Sequence, residues 1–178
     1  SSGCQEEQVV IGKASPTIST TPSAGGPIGT VLNDTATLSG GTSPTGNVTF
    51  ELFPPSDASC EGVPVFTQVD GAAPYTTGPG YTSLVAGTYR WTADYAGDAN
   101  NNPVSSGCQE EQVTIGKASP TISTIPTPAS GVVGTVLNDT ASLSGGSSPT
   151  GNVTFKLFPP SDSTCSGVPV YEETDGTA

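Results

Sequence analysis

The 178-residue chain has no histidine and no methionine, a single tryptophan and only four positive side chains, Lys13, Arg90, Lys117 and Lys156. Each shortage closes off a class of function. Without histidine the commonest general base is missing and zinc loses its usual nitrogen ligand. Sixteen carboxylates give a net charge of −12, opposite in sign to the footprint that binds nucleic acid and repelled by anionic lipid. No apolar run is long enough to cross a bilayer, and no signal-peptide pattern stands at the start. No nucleic-acid partner and no direct membrane insertion are therefore expected. The acidic residues form no pair that stands out as acid and base, so the chain is expected not to be an enzyme and to need no cofactor.

What the chain has is glycine (23), proline (17) and repetition. Ser1–Thr20, SSGCQEEQVVIGKASPTIST, returns at Ser105–Thr124 as SSGCQEEQVTIGKASPTIST. GTVLNDTA stands at Gly29–Ala36 and Gly134–Ala141, and SPTGNVTF at Ser43–Phe50 and Ser148–Phe155. A period this long points to an array of small domains. The expected division is residues 1–13 as the last strand of a preceding repeat, 14–117 as a complete repeat, and 118–178 as the first part of the next. The chain then reads as a window cut from a longer array.

Turn residues recur every 8–12 positions between short runs of Val, Thr, Ile, Tyr and Phe, which argues for an antiparallel sandwich. Val48, Phe50 and Leu52 alternate with Thr49, Glu51 and Phe53, predicting a strand with the first set inward. Tyr89, Trp91, Ala93 and Tyr95 alternate likewise and are expected at the centre of the core. Leu32–Leu38, Val63–Val69, Tyr81–Val85 and Gln112–Ile115 supply four more strands, and Pro16–Thr21, opened by proline, belongs on an edge. The count is about seven strands per repeat. Only Lys117-Ala118-Ser119 separates Gly116 from Pro120, too short for a flexible linker, so an extended rod is expected.

PTGNVTFELF at Pro44–Phe53 and AGTYRWTADYAGDANN at Ala86–Asn101 resemble the tandem bacterial immunoglobulin-like domain repeats of large secreted or cell-surface proteins. The resemblance covers nearly the whole chain. It implies an all-β fold of tandem immunoglobulin-like antiparallel β-sandwiches, used as a stalk or fibre segment, with no catalytic residues to carry over.

The cysteines, Cys4, Cys60, Cys108 and Cys165, come two to a repeat. A small core profits from a covalent staple, and paired cysteines suggest an oxidising, extracellular setting. Three arrangements are open. Cys60 and Cys108 bond within the complete repeat; or, because standard immunoglobulin topology puts their loops at opposite ends, Cys60 bonds to a neighbouring repeat; or the thiols are free. Cys4 and Cys165 then find partners outside the window. Asp98, Asn100 and Asn102 have the alternate spacing of calcium-loop oxygens but lack the later glycine and glutamate, leaving a polar turn as the plainer reading. Asn33, Asn47, Asn138 and Asn152 each stand in an Asn-X-Thr glycosylation triplet, a pattern common by chance.

The function expected is a structural segment of an extracellular stalk or filament on a bacterial cell surface. Its partners are neighbouring repeats of the same chain and lateral copies of the same fibre. The alternative is an adhesin module binding carbohydrate or a host protein through its loops, which an exposed aromatic cluster would favour. A third reading is a non-catalytic appendage of a secreted enzyme.

Overall fold

The computed structural model describes Gly3 and residues 8–175. It is all-β, with several antiparallel sheets and no helix among the described residues. The chain divides into two compact units, Ser1–Lys117 and Ala118–Ala178.

In the first unit ten strands follow one another: β1 (Thr17–Thr20), β2 (Val31–Leu32), β3 (Thr35–Ser39), β4 (Val48–Phe53), β5 (Phe66–Asp70), β6 (Tyr75–Thr76), β7 (Tyr81–Thr82), β8 (Gly87–Tyr95), β9 (Val104–Ser105) and β10 (Glu111–Ile115). One sheet has the order β1-β3-β6 and another β10-β8-β4-β5, with β9 also on β8, while β2 pairs with β7. The proline-led β1 lies on an edge, where a missing N–H costs the ladder nothing.

Period-two alternation builds the core. Tyr89, Trp91, Ala93 and Tyr95 point one way from β8 and are buried, as are Val48, Phe50 and Leu52 of β4. Register makes the two rows complementary, because bulky Phe50 stands opposite small Ala93 and Leu52 opposite Trp91. Val113 and Ile115 of β10 extend the same cluster, and Leu32, Ala36 and Tyr75 enter it from the other strands. The tyrosines keep their hydroxyls at polar partners. Tyr75 donates to the Gly46 carbonyl at 3.0 Å, and the Tyr89 oxygen accepts from the Val85 amide at 3.3 Å. Gly87, which opens β8, has φ +139, and a Cβ there would lie 2.6 Å from the Pro55 ring. Only glycine serves at that point.

Five expectations change. The single strand expected over Leu32–Leu38 breaks at Asn33-Asp34 into β2 and β3, which belong to different sheets. Phe53 is not an outward residue but is buried, 3% exposed, without joining the main cluster. It stands opposite Arg90, whose Nε donates to Gln109. β5 begins at Phe66 rather than Val63, after Pro64 has interrupted the run of amide donors. Tyr81–Val85 shortens to β7, leaving Leu84 and Val85 exposed. Residues 8–13, where the exit strand of a preceding repeat is expected, carry no strand, and Val9, Val10 and Ile11 are exposed. The nearly identical Glu111–Ile115 is a strand because Gly87–Trp91 lies beside it. Among the described residues no strand pairs with 8–13. The difference is tertiary, not local.

The second unit consists of β11 (Thr121–Thr127), β12 (Asn138–Ser144), β13 (Val153–Leu157) and β14 (Tyr171–Asp175), paired as β11-β12 and β13-β14. The registers repeat those of the first unit. Val48↔Asp70 and Leu52↔Phe66 become Val153↔Asp175 and Leu157↔Tyr171. Thr17↔Ser39 and Thr20↔Ala36 become Thr121↔Ser144 and Thr124↔Ala141.

Candidate functional site

Three polar features stand out in the first unit. The first is the Cys60–Cys108 disulfide, with Cα atoms 5.9 Å apart. The loops of these two cysteines come together through a stagger. β4 pairs with residues 90–95 of β8 and β10 with residues 87–91, so Leu52 near the end of β4 and Glu111 at the start of β10 both lie beside Trp91. The edge running along β8 is itself broken. From Ser105, opposite Asp94, to Glu111, opposite Trp91, it takes six residue steps against three. The surplus bulges out as a turn that presents Cys108. The bond thus lies inside one unit, which removes the bridge between neighbouring repeats for this pair.

The loop holding Cys60 is organised by Asp57. Its carboxylate accepts from the amides of Ser59 at 3.2 Å and Gly62 at 2.9 Å, and these bonds, Gly62 foremost, hold its pKa below the ordinary carboxylate range. Cys60 itself has φ +56, a left-handed conformation strained for a residue with a Cβ. Gln109 donates to the Ala58 carbonyl at 2.6 Å and ties the two loops a second time. In the second unit Asp162 repeats this arrangement, accepting from Gly167 at 2.8 Å, and Cys165 has φ +52, but Cys165 is an exposed free thiol. Cys4 lies outside the described residues.

The second feature is Asp98. One carboxylate oxygen accepts from the Thr45 amide at 2.7 Å and the Tyr95 hydroxyl at 2.9 Å. The other accepts from the amides of Asn100 and Asn101, both at 2.8 Å, and the Asn101 side-chain amide donates to each. The Thr45 amide, then those of Asn100 and the Tyr95 hydroxyl, hold this carboxyl far below its ordinary range. Asn101, fully buried, accepts from the Thr42 amide at 2.7 Å and donates to the Thr42 carbonyl at 3.0 Å. The spacing of Asp98, Asn100 and Asn102 thus belongs to a self-satisfied turn. Asp98 is already ringed by N–H and O–H donors, and Asn102 turns away to donate to Ser15 at 3.1 Å. Among the described residues no group of three or more acidic, cysteine or histidine side chains is placed to hold a metal. The same turn grips the chain ahead of β1: the Ala14 amide donates to the Asn100 carbonyl, the Asn102 amide to the Ala14 carbonyl, and Lys13 Nζ to the Asp98 carbonyl. Asp98→Ala is expected to speed hydrogen exchange at Thr45, Asn100, Asn101 and Ala14 while the amides of β8 stay protected. Uniform protection across both sets in a peptide-resolved exchange map would refute that assignment.

The third feature has no trace in the spacing of the sequence. Asp34, between β2 and β3, is 1% exposed. One of its oxygens accepts from the Thr35 amide at 2.8 Å, whereas Oδ2 is buried without a partner. Burial, aided by the charge of Glu111, pushes this carboxyl from its ordinary 3.8 up to about 7. The folded state therefore holds a proton that the unfolded chain gives up first, and stability falls as pH rises from about 4 to about 7. Asp34→Asn is expected to remove that slope. The gain over the native chain should be absent near pH 4 and largest near pH 8 in urea titrations. A gain independent of pH would count against the buried proton. Asp139, the counterpart in the second unit, makes the same bond to the next amide, Thr140, yet is exposed.

Of the Asn-X-Thr triplets, Asn47, Asn138 and Asn152 are exposed and Asn33 is half-buried, its amide donating to Ser23 at 3.0 Å. Asn101, Thr42 and Thr45 are the site residues that reading by motif misses. The available signal is an Asp followed three residues later by an Asn at the end of an aromatic strand. Comparison of the chain with protein-family models, curated proteins and solved structures finds no match.

Proposed function

We propose that the chain is a structural segment of an extracellular stalk or filament on a bacterial cell surface, built from tandem immunoglobulin-like β-sandwiches and without enzymatic activity. The observation that carries the reading is the return of two hairpin pairings with corresponding residues at the period of the sequence repeat. The strand orders β1-β3-β6 and β10-β8-β4-β5, feeding one core, are compatible with the division of strands between the two sheets of an immunoglobulin-like sandwich. A disulfide across a small core fits an oxidising location. The polar features serve to hold the unit together: Asp98 and Asn101 fasten the chain ahead of β1 to the turn after β8, and Cys60–Cys108 fastens the turn ahead of β10 to the loop after β4. Neighbouring repeats and lateral copies of the same fibre are the partners this reading implies. Electron microscopy of the native material tests it. A long beaded thread is expected, and a compact monodisperse particle would remove the proposal.

A further inference from the structure

Two carboxyl groups enter the core of the first unit from different sheets. Asp34 joins β2 to β3, and β3 is the middle strand of the order β1-β3-β6. Glu111 opens β10 and stands in register with the wholly buried Trp91. It shares the inward row of its strand with Val113 and Ile115, both buried, while Thr114 is exposed. Asp34 Oδ2 and Glu111 Oε2 are each buried without a hydrogen-bond partner. Burial first, and then the charge of Glu111, raises the pKa of Asp34 to about 7. Thr21, Thr35 and Thr77, which meet Asp34 from the neighbouring strands, do not titrate. The other titratable side chains of the core are Tyr75, Tyr81, Tyr89 and Tyr95, and a phenol gives up its proton only at about pH 10 or above.

The two carboxyls are not held equally. Asp34 is pinned through its backbone: its amide donates to Thr77 Oγ1 at 2.8 Å, and its carbonyl accepts from the Thr77 amide at 2.9 Å. β3 also has a strand on each side. β10 ends its sheet among the described residues, pairing with β8 alone, and past it Gly116 exchanges bonds with Gly26 and Ile28. We propose that Asp34 and Glu111 form a pH-operated release for β10. While Asp34 is neutral the strand stays docked. Once Asp34 is ionised, two like charges face a core that holds no basic side chain, and the strand with fewer bonds gives way. Lifting β10 lets water reach both carboxylates. Docking is therefore complete at acid pH and lost as pH rises through about 7. Cys108, just ahead of β10 and bonded to Cys60, keeps the start of the strand at hand, so the opening is local and reverses when the pH falls.

Hydrogen exchange of the full chain at about pH 5.5 and about pH 8.5, each rate divided by its chemical exchange rate, reads the release. Protection at residues 112–116 and Ile28 is expected to fall at the higher pH by about tenfold more than protection in β4, which lies between two strands. Glu111→Gln keeps the shape of the side chain and removes its charge, so the selective loss should vanish. Asp34→Asn should abolish it as well; if that variant does not fold, Glu111→Gln decides alone. Equal loss of protection in β4 and β10, no loss in β10, or a selective loss that persists in Glu111→Gln would each overturn the proposal.

Discussion

Trp91→Ala is expected to cost about 3–5 kcal/mol of stability, the largest single-residue loss in the first unit. Trp91 is wholly buried at the middle of β8, opposite Leu52 on one side and Glu111 on the other. Its ring meets Phe66 edge-on, with centroids 5.7 Å apart. Removing the indole leaves a void that three neighbouring strands cannot close without breaking their ladders, so the cavity term adds to the lost transfer energy. A small domain has only about 5–15 kcal/mol in hand, and a loss of this size empties much of it. Urea unfolding followed by circular dichroism measures the effect, with Trp91→Phe as a comparison that should lose clearly less. A loss under about 1 kcal/mol for the alanine variant would mean that the core is not centred where the burial places it.

Reduction of Cys60–Cys108 is expected to cost about 4 kcal/mol, from the loop of 48 residues that the bond closes in the unfolded chain. The measurement is the shift in urea midpoint with and without a phosphine reductant, at constant slope. The left-handed backbone at Cys60 supplies an internal check. Replacing both cysteines by serine keeps the strain at position 60, whereas Cys60→Gly with Cys108→Ser relieves it. The glycine double variant should therefore be the more stable by up to about 1 kcal/mol, the left-handed penalty of about 1–2 kcal/mol being partly offset by glycine's entropy in the unfolded chain. Equal stability of the two variants would show that the loop relaxes once the bond is gone.

The strands that carry the core could be read from the sequence because their signal is local. Alternation in β4 and β8 is a property of consecutive residues, and a leading proline marks β1 as an edge strand wherever it lies. Phe53 escapes that logic, because it stands on the other side of the alternation from Val48, Phe50 and Leu52 and is buried all the same. The stagger of β4 and β10 along β8 escapes it too, since it comes from a bulge whose length shows only when both pairings are known. Without it, standard immunoglobulin topology puts the Cys60 and Cys108 loops at opposite ends, and a bond to a neighbouring repeat is a fair alternative. Asp34 and Asp139 make the same point about electrostatics. They occupy the same NDTA phrase and bond the next amide alike, yet Asp34 is buried beneath further strands, which raises its proton affinity, while Asp139 lies exposed. Residues 8–13 and 112–117 do so for secondary structure, being nearly one sequence with a strand only where an edge is offered.

The stapled edge has a mechanical consequence. If the first unit is pulled from Ala14 and Lys117, the disulfide carries the load directly between residues 60 and 108, and the chain between them stays slack. At about 3.3–3.6 Å per residue, that withholds roughly 160–170 Å of contour from extension. β5 through β9 lie wholly inside the shielded loop, so only the strands before Cys60 and β10 after Cys108 can be drawn out. Even when its sheets are torn open, such a unit pays out only a little over half of the contour its residues would allow.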